Sequence, residues 1–302
     1  MKDLLVVTML IWSISGICQN NYSIELDGVD DYIEYEDSIV ITSFPISFQA
    51  DVKLAEDYQN NLEFTIFKSD ESDGNYAGFW TQIRPSIISV SYGDGNGAGM
   101  QNRRTIKAPH SIAGDTWVNI AGVINGPTDM TVFVDGVAAG GTYDGTGGAY
   151  HPSNGNKAVS GYSLSATIEN FSEGRIDNLS IWDIELTAAM VNDYIDCPPT
   201  GNETGLVAFW NFEEGSGVSA TDQTGHGYNG ALLNGASWSS DVPSDMCIPA
   251  GVARIPQKND RTLLDIFDLY GRKTQFKPNT VLIYKYNDGS AEMKVVVDSP
   301  DQ

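Results

Sequence analysis

The stretch Trp117–Gly140, WVNIAGVINGPTDMTVFVDGVAAG, constrains the fold of this chain most tightly. Val118–Ile124 and Met130–Val134 are runs of β-branched and apolar residues, and turn formers separate them, Asn125-Gly126-Pro127-Thr128-Asp129. The pattern predicts a strand, a short connection and a strand returning antiparallel. Asp135-Gly136 follows, a pair that accepts φ > 0 and so favours a tight type I′ reversal. Trp117 leads in, where a large ring can close one end of a sheet core.

The rest of the chain reads the same way. It holds 31 Gly and 14 Tyr in 302 residues, and long stretches of helical period are scarce, so an all-β protein with many turns is predicted. Tyr22–Glu36 alternates but is interrupted at Gly28-Val29-Asp30-Asp31. Phe44–Lys53 places Ile46, Phe48, Ala50 and Val52 on one face. Leu62–Lys68, Ala77–Ile83, Ile87–Ser91, Gly161–Ile168 and Arg175–Trp182 read as further strands, and Thr187–Val191 as a short capped helix. The length suits one large sandwich plus an accessory unit, or two domains.

Three stretches together resemble a known family. Trp117–Gly136 is similar to the central hairpin of laminin G-like, concanavalin A-type jelly rolls, Leu26–Ile33 to the opening strand and Gly174–Trp182 to the closing strand. The resemblance implies a jelly-roll β-sandwich over residues 22–194. Residues 197–247 resemble a segment common beside such domains in Bacteroidetes surface proteins. That segment is expected to pack on the sandwich as an appendix, with Trp210 and Trp238 in its own core. Residues 248–260 read as a linker with Pro249 and Pro256. In residues 261–302, Asp268-Leu269-Tyr270-Gly271-Arg272 and Tyr284-Lys285-Tyr286-Asn287-Asp288-Gly289 resemble a type IX secretion sorting signal, which implies the type IX export machinery as partner; the alternative is a plain β-hairpin tail.

The N-terminus begins Met1-Lys2-Asp3, runs through the apolar Leu4–Trp12 and exits on small residues to Cys18, as a secretory signal peptide over residues 1–18 does. The apolar run is too short for a transmembrane anchor. The protein is therefore expected to be secreted or on the outer cell surface. Cleavage would leave two cysteines, Cys197 and Cys247, and an even number in an exported chain suggests a structural disulfide. The net charge of −23 excludes a generic nucleic-acid binder. From Arg254 onward 8 bases meet 7 acids, whereas 9 bases meet 33 acids before it.

Candidate sites follow from chemistry and from the resemblance. Asp27, Asp30 and Asp31 crowd one bend, with no Lys or Arg between Lys2 and Lys53. The family resemblance implies a structural calcium ion held by Asp27, Asp30 and Asp177, though each acid could equally cap a turn. Gly140–Lys157 interleaves rings with amides and carboxylates, which makes Tyr143, Asp144, Tyr150 and Asn154 candidate glycan contacts. Arg103, Arg104 and Lys107 form a basic cluster that suits an acidic glycan or a strand edge blunted by charge. For catalysis the family's hydrolases need paired carboxylates alternating on a central strand. Glu25-Leu26-Asp27 is a poor match on the first strand, and the three histidines are scattered, so no catalytic residue is assigned. The expected role is lectin-like, binding polysaccharide or glycoprotein glycan in adhesion; a carbohydrate-active hydrolase or lyase and a purely structural surface protein are the alternatives.

Overall fold

The computed structural model describes residues 22–56, 58, 63–70, 74–153, 155–165 and 168–244, and, in the tail, 263–268, 270–275, 277, 280–286 and 291–295. The expected signal peptide, Asn154, Cys247 and the linker 248–260 lie outside the described residues. The chain divides into two units, 1–247 and 248–302.

The first unit is built from two facing antiparallel sheets. One runs β10 (Val137–Ala138), β9 (Asp129–Val134), β8 (Trp117–Gly126), β3 (Ile46–Leu54), β15 (Glu173–Trp182), β1 (Ser23–Asp27) and β19 (Ser237–Ser239), with β16 (Leu206–Trp210) also paired to β15. The other has nine strands: β11 (Thr142–Asp144), β7 (Arg103–Pro109), β6 (Ile87–Gly93), β5 (Phe79–Arg84), β4 (Phe64–Lys68), β12 (Val159–Ser160), β2 (Tyr32–Tyr35), β18 (Gly230–Leu233) and β17 (Ser219–Ala220). A hairpin of β13 (Tyr162–Ser165) and β14 (Ile168–Phe171) forms a two-stranded sheet of its own. The all-β sandwich expected from the sequence is present.

The predicted central hairpin forms as β8 and β9. Asp135 and Gly136 both take positive φ, 47° and 73°, as a type I′ reversal into β10 requires. Gly122 faces the interior of β8, where an added Cβ would lie 2.2 Å from the Phe48 ring. Alternate residues of β3, Ile46, Phe48, Ala50 and Val52, enter the core between the sheets with Ile24, Ile33, Phe64, Phe79, Val90 and Ile120.

The intervening residues of β3 are buried as well. Helix α1 (Ala188–Asp196) begins at Thr187, whose side chain accepts the Met190 N–H, and contributes Val191 to a second apolar cluster with Ala121, Phe133, Trp182 and Phe209. It covers a polar ladder: Gln49 donates to Asn119 and to the Val191 carbonyl, both at 2.9 Å, and Asn119 and Asn178 donate to Asp51.

The segment 197–244 packs on the sandwich and contributes strands to both of its sheets. β16 extends the first sheet along β15, β19 pairs β1, and β18 pairs β2 in the second sheet. Trp210 is fully buried in the core of the sandwich, with its ring 4.2 Å from Tyr35. An edge strand with an apolar face is stable only when paired and covered, and this stretch does both for β15 and β2. Trp238 packs half-buried against the same core. Cys197 caps α1.

The second unit contains a four-stranded sheet in the order β21 (Lys273–Thr274), β20 (Leu263–Phe267), β22 (Val281–Tyr286), β23 (Ala291–Val295). The Asp268 carboxylate accepts the Tyr270 and Arg272 N–H groups, closing the turn after β20. Among the described residues no helix is long and apolar enough to cross a membrane.

Candidate glycan-binding face and cation cluster

The outer face of the nine-stranded sheet is polar where the inner face is apolar, a consequence of strand alternation. In β5, Phe79 and Ile83 point into the core, while Trp80, Gln82 and Arg84 share the opposite face. Cross-strand register carries that face sideways: Trp80 lies between Lys68 and Ser91, and Ser91 faces Thr105, which faces Asp144. Next to this row, Gln82 lies between Thr65 and Ser89, and Ser89 faces Lys107. A register shift between Thr65 and Phe67 lets Ile66 and Phe67 both enter the core and re-aims Lys68 outward.

The result is a shallow groove of about 110 Å³, with Trp80 and Tyr76 beside Glu63, Gln82, Arg84, Ser89, Ser91, Arg103 and Lys107. Trp80 is 7 % exposed, and the half-buried Tyr76 ring sits 5.3 Å from it. The polar groups are held in place by one another. Gln82 donates to Glu63 and, at 3.1 Å, to Ser163; Arg84 Nε donates to Glu63 at 2.6 Å. Ser91 and Thr105 share a 2.8 Å bond, and Arg103 donates to Thr105 at 2.7 Å. Lys107 pairs with Asp144, and Arg103 lies 3.7 Å from the same carboxylate. The Lys107 contact is the main reason that the Asp144 carboxyl is held below the usual carboxylate range. A larger opening of about 410 Å³ beside Ile112, Trp117, Val118 and Val134 is more apolar, with His110, Ser111, Thr116 and Asp135 also on its walls.

A second site gathers acids at the bend between β1 and β2. One carboxylate oxygen from each of Asp27, Asp30 and Asp31 lies within 4.8 Å of the others. Asp31 is 4 % exposed; its Oδ2 accepts the Asp27 N–H at 3.2 Å, and its buried Oδ1 has no hydrogen-bond partner. Burial, then the charge of Asp27 and that of Asp30, push the Asp31 carboxyl upward. Asp27 also sits directly across from Glu173 in the β1–β15 ladder, a like-charge pairing that costs stability without a counter-ion. Glu25, Asp27, Asp31, Glu56, Asp115 and Glu173 line the adjoining cleft with one base, Arg175.

The structure brings some of the residues expected from the sequence together and separates others. Asp27 and Asp30 meet, but Asp177 does not join them. It is fully buried, faces Asp51 across the β3–β15 ladder and lies four residues beyond Glu173, about 14 Å along the strand. Asp31 completes the cluster instead. The three glycan candidates among the described residues, Tyr143, Asp144 and Tyr150, do not form one surface. Tyr143, 37 % exposed, accepts the Met130 N–H through its hydroxyl and carries the Arg104 guanidinium over its ring. Tyr150 packs between Phe44 and Tyr92 at the edge of the core. Asp144 alone reaches the polar groove. Arg104 turns away from it, donating to the Pro127 and Gly145 carbonyls. Sequence reasoning passed over Tyr76, Trp80, Gln82 and Arg84; the signal was the polar alternation Trp80-x-Gln82-x-Arg84 in a strand otherwise apolar.

Comparison with known proteins agrees with the architecture. A solved candidate carbohydrate-binding protein from Bacteroides ovatus superposes with a TM-score of 0.54 at 15% identity, over 72% of this chain and 59% of its own. A heptameric SAP-like pentraxin from Limulus polyphemus aligns with a TM-score of 0.42 at 15% identity, over 58% of this chain and 82% of its own. Botulinum neurotoxin type C, whose cell entry depends on two ganglioside molecules, aligns at 0.36 and 13% identity, over 55% of this chain and 35% of its own. No curated protein matches the sequence. The family model Laminin_G_3 matches residues 27–192, more than half of the chain, and the protein belongs to that family, the concanavalin A-like lectin/glucanases superfamily.

Proposed function

We propose that the protein is a lectin-like glycan-binding protein whose sugar site is the groove on the outer face of the nine-stranded sheet. One observation carries this reading: Tyr76 and Trp80 adjoin a field of Ser, Gln, Arg and Lys groups already ordered by mutual hydrogen bonds. Rings stack on the C–H faces of sugars, and the ordered donors and acceptors meet hydroxyls at little entropic cost. The fold relative from Bacteroides ovatus supports the reading. The partner is a polysaccharide or a glycoprotein glycan, and the outcome is adhesion or polymer capture, without catalysis. Glu63 is engaged by Gln82 and Arg84, and Asp144 by Lys107.

The same proposal includes a structural calcium ion on Asp27, Asp30 and Asp31, with carbonyls and water supplying the remaining oxygens. Its support is the stranded, buried Asp31 Oδ1 and the Asp27–Glu173 opposition. Export through the type IX route, a surface or secreted location and a Cys197–Cys247 disulfide complete the proposal and rest on the sequence.

A glycan array with the full chain, followed by calorimetry on the best oligosaccharide, tests the binding role. Tyr76→Ala is expected to weaken binding about fivefold, the equivalent of about 1 kcal/mol of stacking, with the melting temperature little changed. Retained affinity in Tyr76→Ala would place the sugar elsewhere, and new reducing ends would replace the lectin with a hydrolase or lyase.

A further inference from the structure

We infer that the glycan taken by this groove is anionic, carrying carboxylate or sulfate groups spaced along a polysaccharide chain; the inference rests on the binding role proposed above. The body of the chain is strongly acidic, with only nine Lys and Arg before Arg254. Four of these, Lys68, Arg84, Arg103 and Lys107, line the one groove. Among the described residues Glu63 is the one acid that lines it, paired with Arg84, and Asp144 at the margin touches Lys107 and Arg103. The bases come from β4, β5 and β7, so they spread over about three strand spacings, roughly 14 Å, the reach of a short oligosaccharide. A guanidinium carries five N–H donors, more than Glu63 takes from Arg84 or Thr105 from Arg103, and both side chains line the groove.

A polymer of neutral sugars would use these groups only as hydrogen-bond donors and leave their charge unmatched. A nucleic acid is disfavoured for the opposite reason: its charges are dense, and those beyond the groove meet a protein of net charge −23. A glycan with one charge per sugar or fewer keeps its charges within the groove, while salt screens the remaining field beyond about 8 Å.

Calorimetry on the full chain with three hexasaccharides decides the matter: hexagalacturonate, a sulfated chondroitin hexasaccharide and neutral cellohexaose. At least one anionic hexasaccharide is expected to bind ten or more times tighter than cellohexaose, and which one does so tells carboxylate from sulfate. Arg103→Gln and Lys107→Gln should each weaken that binding about tenfold, the loss of one charge-assisted contact. Arg175→Gln removes the same charge from the other sheet and should leave binding unchanged. Asp144→Asn releases the counter-charge on Lys107 and Arg103 and should tighten it severalfold.

Equal binding of cellohexaose overturns the anionic assignment and leaves the lectin reading in place. Binding of none of the three overturns both. An Arg175→Gln loss equal to that of Arg103→Gln, or tighter binding of a single-stranded DNA hexamer, also overturns the assignment.

Discussion

At the bend between β1 and β2, Asp31 is an acid held where an acid is costly: nearly buried, beside two others, with one oxygen unpartnered. A divalent cation resolves all three costs together. Asp31→Asn separates this account from a plain turn cap. Without a cation the neutral amide relieves repulsion, so in chelator the variant should melt about 2–4 °C higher, the shift expected for about 1 kcal/mol in a domain of this size. In calcium the rise expected for the wild type should be lost. A variant that melts like the wild type in chelator and still responds to calcium contradicts the site. Asp177→Ala should destabilise equally with and without calcium, because Asp177 belongs to the buried ladder beneath α1, where its carboxylate accepts the Asn178 N–H at 2.8 Å. Scanning calorimetry reads both.

Residue type alone identified the acidic bend, since three aspartates without a nearby base are visible in any reading of the chain. That Asp177 stands apart from this cluster was not legible. Asp31 and Asp177 look alike in sequence, and only the register of β1 against β15 shows that Asp177 sits four residues too far along its strand.

At the scale of the elements, the hairpin β8–β9 was legible because alternation, turn residues and the Asp135-Gly136 reversal all pointed the same way. The role of segment 197–244 was not. Its strands are two to five residues long, too short for periodicity to say which sheet they join. Pairing partners lie far away in the chain, β18 on β2 and β19 on β1. If this segment is part of the sandwich core, Trp210→Ala should cost the whole domain about 3–5 kcal/mol in a single cooperative urea transition. Loss confined to a minor early transition, with the main one unmoved, would restore the separate appendix. Ser47, Gln49 and Asp51 of β3 alternate with its apolar residues, yet all three are buried, Gln49 against the Val191 carbonyl of α1.

At the scale of the molecule, charge decides which partners are admissible. A net charge of −23 disfavours polyanions in general, and the groove is where four of the nine bases before Arg254 gather. That gathering was half legible. Arg103, Arg104 and Lys107 stand out in the sequence, but strand alternation sends Arg104 to the other side of its strand, while Lys68 and Arg84, distant in the chain, arrive by sheet pairing. Binding that depends on these bases should weaken as sodium chloride rises from 50 to 500 mM, since the screening length shortens over that range. An affinity independent of salt would remove electrostatics from the account.

The central claim is positional: sugar lies on the polar face of the nine-stranded sheet. Hydroxyl-radical footprinting of the full chain, with and without hexagalacturonate at saturating concentration, tests it most directly. The account predicts that oxidation of Tyr76 falls on binding while that of Tyr143, on the edge strand and outside the groove, stays constant. Protection of Tyr143 with Tyr76 unchanged would contradict it.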